Sequence, residues 1–167
     1  MGQSLEEIYS QTEDMIVKGD YISALNVIEK TEQISDIPLG SKLKFQLLKA
    51  RILLDLGEYQ KSLVLSINTF QESEIICERV TMIDSKIAVI ASMRHLGQFK
   101  EANKIVMEAE ILIAETEESY KADLKLQKAR LLFNKGIFFP KTLHLDMMLL
   151  KEIDFPEVVE SFYFDWR

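Results

Sequence analysis

Apolar residues along this chain recur every three or four positions, the spacing that places them on one face of an α-helix. Segment by segment, the pattern predicts helices over 5–18, 21–33, 42–56, 60–72, 80–96, 99–115, 119–135 and 140–152. The breaks between them carry stop signals. Gly19, Gly57, Gly97 and Gly136 each fall where one apolar stretch ends and another begins. Inside a helix a glycine costs about 1 kcal/mol relative to alanine, but just past a helix end it turns left-handed without a Cβ clash. The stretch "SDIPLGS" at 35–41 is a second kind of break, because Pro38 cannot continue a helix.

The four glycines are one feature repeated. They open "GDYISAL", "GEYQKSL", "GQFKEAN" and "GIFFPKT", at spacings of 38, 40 and 39 residues. An aromatic follows each by two positions (Tyr21, Tyr59, Phe99, Phe138), and a small residue follows the first three by five (Ala24, Ser62, Ala102). The segment "KARILLDLG" at 49–57 returns as "KARLLFNKG" at 128–136. Each glycine therefore reads as the corner of a helical hairpin. The aromatic is expected to fill the corner, and the small residue to let the second helix approach the first. One hairpin cannot bury its apolar face alone, so the four units, about 4–38, 41–76, 79–117 and 119–152, are expected to stack.

The glycine, the aromatic two later and the small residue five later resemble the tetratricopeptide repeat (TPR) over roughly residues 4–150. Ala50 and Ala129, seven before Gly57 and Gly136, match the small position of that family's first helix. The chain departs from the pattern in three ways. Its period exceeds the usual length of about 34. The first-helix tryptophan position holds Ile8, Gln46, Lys86 and Lys125, and the fourth unit has Pro140 and Lys141 near the small position. HEAT- and armadillo-type repeats of about 40–47 residues come closer in period but lack the glycine–aromatic–small corner. The resemblance implies an all-α, right-handed α-solenoid of four hairpins whose first helices line a concave groove.

Counting back from each glycine by the family's groove positions names the residues that groove would present. They are Glu6, Tyr9, Glu13, Ile16 and Val17; Lys44, Leu47, Arg51, Leu54 and Asp55; Asp84, Ile87, Ala91, Arg94 and His95; and Asp123, Leu126, Arg130, Phe133 and Asn134. Three of the chain's five arginines, Arg51, Arg94 and Arg130, fall in this set. A guanidinium's planar fork suits carboxylates, which points to an acidic or C-terminal peptide. Pairing with a neighbouring Asp84 or Asp123 would instead make the arginines ordinary helix surface. The Lys/Asn/Arg carboxylate clamp of the family's chaperone-binding members is not reproduced at Tyr9, Ser10, Glu13, Lys44 and Leu48.

Beyond the repeats the composition changes. Eight of the fifteen aromatics lie from Phe133 onward, and the chain closes on "FPEVVESFYFDWR". Pro156 marks a helix start, giving a C-terminal capping helix within 153–167. Its aromatics either cover the end of the last hairpin or offer Phe162, Tyr163, Phe164 and Trp166 as a docking patch.

Composition narrows the function classes. A 167-residue chain that is 47% apolar and 28% charged suits one globular domain. The net charge of −7 opposes a nucleic-acid partner, and no apolar run is long enough to span a membrane. The opening "MGQSLE" lacks the Ser or Thr at position 6 that a myristoylation signal needs, since Glu6 stands there. Cys77 is single, which excludes an internal disulfide and fits a reducing cytoplasm. His95 and His144 stand 49 residues apart, so neither short-spaced metal ligands nor a nucleophile–base pair can be read. The acidic runs at 108–110 and 115–119 read as solvated helix faces and the Met147–Met148 pair as core. The expectation is a cytoplasmic, non-enzymatic protein-interaction module without cofactor or metal, binding a peptide or helix of another protein. Two alternatives stay open: self-assembly, such as a homodimer through the aromatic C-terminus, and a regulatory sensor domain of a longer protein.

Overall fold

Ser4 begins the first helix with a reciprocal cap. Its Oγ accepts from the Glu7 amide at 3.2 Å, and the Glu7 carboxylate accepts from the Ser4 amide at 2.9 Å. The computed structural model describes residues 4–113 and 118–134. Among them are seven α-helices and no strand: α1 (Leu5–Val17), α2 (Tyr21–Glu32), α3 (Leu39–Asp55), α4 (Tyr59–Ile75), α5 (Arg79–His95), α6 (Phe99–Ile113) and α7 (Glu118–Asn134). The segment 140–152, Gly136 and the C-terminal helix expected within 153–167 lie outside the described residues.

The helices turn at glycine as the spacing predicts. Gly19, Gly57 and Gly97 have φ of +76°, +80° and +73°. At Gly57 the amide donates to the Leu54 carbonyl (3.1 Å) and the next amide, of Glu58, donates to Leu53 (2.8 Å). This pair of bonds satisfies carbonyls that the ending helix leaves open. Gly19 and Gly97 repeat it. So does Cys77, at φ +54°, with Cys77 donating to Glu74 and Glu78 to Ser73. The turn between α4 and α5 is thus the same device as the turns within the hairpins, set on a residue that carries a Cβ. Gly57, Cys77 and Gly97 fall at even intervals, so here the 40-residue period consists of two equal helical steps.

Two boundaries differ from the sequence reading. α3 begins at Leu39, directly after its N-cap Pro38, and takes Gly40 into its first turn, where helical amides lack intrahelical partners anyway. α4 runs on to Ile75, because its stop signal is the left-handed Cys77 rather than a glycine.

Consecutive helices pack as neighbours, and α1, α3, α5 and α7 also touch in series. The small residues behind each corner, Ala24, Ser62 and Ala102, are completely buried. Two apolar clusters result. Ile16, Ala24, Ile28, Phe45, Leu48 and Ile52 join α1, α2 and α3. Ile83, Ile90, Ala102, Val106, Ala109, Ile113, Leu124 and Leu131 join α5, α6 and α7. Between them α4 meets its neighbours through Ser62, Ser66, Thr69 and Ser73, all buried. Ser62 Oγ donates to the Ala50 carbonyl at 2.8 Å and lies 3.1 Å from Ser92 Oγ.

The corner aromatics do more than fill corners. Tyr21 Oη lies 3.3 Å from an Asp55 carboxylate oxygen, and the Tyr59 ring stacks on His95 at 4.5 Å between centroids. Asp55 and His95 each stand two residues before the next glycine. Each tyrosine therefore ties its hairpin to the one that follows. Two of the positions where the tryptophan is missing, Gln46 and Lys86, are used for cross-helix polar pairs, while Ile8 packs against the first apolar cluster. Thr69 Oγ1 lies 3.2 Å from Gln46 Oε1, and Lys86 Nζ lies 2.6 Å from Glu108 Oε2 and 4.1 Å from the Phe70 ring centroid.

Candidate functional site

The first turns of α1, α3 and α5 approach without filling the space between them. A cavity of about 360 Å³ remains, lined by Leu5, Glu6, Tyr9, Ser41, Lys44, Phe45, Leu47, Val80, Thr81 and Asp84. Glu6, Tyr9, Lys44, Leu47 and Asp84 are among the groove residues named from the sequence. They stand thirteen or ten residues before their glycines, one helical turn apart. Tyr9 is fixed there by an edge-on contact with Phe45, 5.7 Å between centroids at 74°. Leu5, Ser41, Phe45, Val80 and Thr81 were missed. Ser41 and Thr81 both stand sixteen before a glycine, so extending the same stripe one turn toward the helix N-terminus would have found them.

Carboxylates outnumber cations at the site, Glu6 and Asp84 lining it with Lys44. Burial pushes the Asp84 carboxyl up to about 6, and the carboxylates of Asp123, Glu78 and Glu13 add to the shift while Lys44 opposes it. Burial also raises the Tyr9 phenol to about 12, reinforced by Glu13 and Asp84 against Arg51. Partial desolvation raises Asp123 as well. Acidic side chains of α1, α5 and α7 therefore act on one another although they come from three different hairpins.

The remaining candidates separate. Ile16, Ala91 and Arg94 are buried, and Arg94 leaves only 7% of its surface to solvent, its guanidinium 2.8 Å from His95 Nε2. Ile87 packs against the second apolar cluster. Arg51 is exposed, Arg130 is half-buried on α7, and Val17 and Asp55 are exposed at helix ends. Phe133 and Asn134 close α7. The C-terminal candidates Phe162, Tyr163, Phe164 and Trp166 lie outside the described residues. None of the three groove arginines lines the cavity, whose charged lining residues are Glu6, Asp84 and Lys44.

Among the described residues, no three His, Cys, Asp or Glu side chains converge to hold a metal ion, and no helix is long and apolar enough to cross a membrane. Protein-family models, curated proteins and solved structures were each compared with the chain, and none matches.

Proposed function

We propose that this chain is a TPR-like right-handed α-solenoid that binds a peptide or helix of another protein along the face formed by α1, α3, α5 and α7, without catalysis. The observation that carries this reading is the cavity shared by three successive odd-numbered helices. Stacked hairpins that hold their first helices side by side would leave such a gap, and with it a largely preformed surface for an extended or helical segment. Its lining mixes apolar side chains (Leu5, Phe45, Leu47) with a few convergent polar groups, the composition of a recognition site. The test is selection of a phage-displayed library of random 12-residue peptides on the purified chain. Enriched peptides should lose binding to Leu47→Trp, whose uncharged indole occupies part of the cavity. Peptides that bind both forms equally, or a failure to enrich any, would refute the reading.

A second reading, self-assembly, draws on Met107 and Ile111, one turn apart on α6 and 66% and 77% exposed. Light scattering across a concentration series tests it, and a strict monomer at high concentration would remove it.

A further inference from the structure

We infer that the cavity between α1, α3 and α5 receives a lysine or arginine side chain from a basic segment of the partner, with Asp84 as its counter-ion. The inference rests on the reading of this face as the binding surface and adds the chemistry of the occupant. It reverses the expectation of an acidic peptide drawn from the arginines.

Two features fit a long cationic side chain. Its methylenes would lie against Leu5, Tyr9, Leu47 and Val80, apolar walls of the kind that lysine and arginine stems cover. Its charged head would meet Asp84 and Glu6 in the lining, with the Tyr9 ring available for a cation–π contact. Charge complementarity decides between occupants. Glu6 and Glu13 from α1, Glu78 and Asp84 at the start of α5, and Asp123 from α7 bear on this space. Lys44 and Arg51 of α3 oppose them. Lys44 is itself exposed and can swing into solvent. An anion placed here would face the repulsion that already disfavours ionised Asp84, whereas a cation relieves it.

The experiment uses the peptides selected above, synthesised with a fluorophore and titrated by polarisation against the whole chain. Asp84→Asn is compared with Asp36→Asn, which removes the same charge from the exposed loop after α2. Selected peptides should share a lysine or arginine, and Asp84→Asn should weaken them about tenfold while Asp36→Asn changes binding less than twofold. Wild-type affinity should rise about fourfold from pH 5.5 to 7.5, as Asp84 ionises, and the rise should vanish in Asp84→Asn. Lys44→Gln, a change on an exposed side chain, should tighten binding. Peptides without a common basic residue, or equal losses in the two aspartate variants, would overturn the assignment to Asp84 and leave the binding-surface reading standing. Peptides indifferent to Leu47→Trp would overturn that reading itself.

Discussion

Gly57 and Cys77 occupy the same turn with opposite chemistry, so exchanging their residue types tests what ends these helices. At Gly57, φ is +80°, and a Cβ added there would meet only the Tyr59 ring, at 3.9 Å to Oη and 4.0 Å to Cζ. No clash contributes, and the cost of Gly57→Ala is that of the backbone conformation alone. The left-handed conformation costs an L-residue about 1–2 kcal/mol. Replacing glycine returns about 0.4–1 kcal/mol by restricting the unfolded chain, leaving a net loss near 1 kcal/mol. Gly57→Val adds a β-branched side chain in the wrong region and should lose about 2 kcal/mol. Cys77 already bears this strain at φ +54°, and its side chain is exposed, so little packing is lost with it. Cys77→Gly should therefore gain about 0.5–1 kcal/mol. For a chain of this size, 1 kcal/mol moves the melting temperature by about 2–4 °C. Circular dichroism at 222 nm, with thermal melts and urea midpoints under reducing conditions, reads all three variants. If Gly57→Val melts with wild type, or Cys77→Gly melts below it, the left-handed corner does not control where these helices end.

Two further outcomes follow from buried charge. Asp84 holds its proton more tightly folded than unfolded, so its contribution to stability is present at low pH and lost as pH rises from about 4 to about 6. Asp84→Asn should accordingly be more stable than wild type by about 1–2 kcal/mol at pH 7.5, after discounting for its partial exposure, and nearly equal at about pH 3.5, below the unfolded carboxyl's own value; thermal melts at the two pH values would refute this if the gap were constant. Lys86, 9% exposed, is paired with the half-exposed Glu108. Glu108→Ala should cost about 1–2 kcal/mol by stranding the ammonium, while Lys86→Met, which keeps the contact with Phe70, should cost less than about 1 kcal/mol. Urea midpoints in the reverse order would show that the ion pair itself stabilises the α5–α6 contact.

The helices were legible because their ends are written locally. A left-handed glycine, the amide two residues after the helix, and a small residue one turn into the next helix are all properties of a few adjacent positions. Cys77 escaped for the same reason: nothing in its residue type announces a positive φ, and only the bonds Cys77–Glu74 and Glu78–Ser73 reveal the corner. The start of α3 lies three residues before the expected one because Pro38, which reads as a break, is the N-cap of the helix, and Leu39 and Gly40 enter its first turn. The cavity was half legible. Its lining follows a stripe read from the repeat, but the stripe was begun one turn too late.

Period, corner and hairpin order were therefore decided by the sequence alone, since each rests on backbone preference and on apolar spacing within one helix. Which side chains meet was decided by tertiary packing. Tyr21 reaches Asp55 and Tyr59 reaches His95 across more than thirty residues. Glu13, Asp84 and Asp123 feel one another only because α1, α3, α5 and α7 lie side by side. Counting arginines along the chain suggested an acidic partner. Electrostatic energy depends on distance in space and on burial, and in space Glu6 and Asp84 share the cavity lining with Lys44 while none of those arginines lines it.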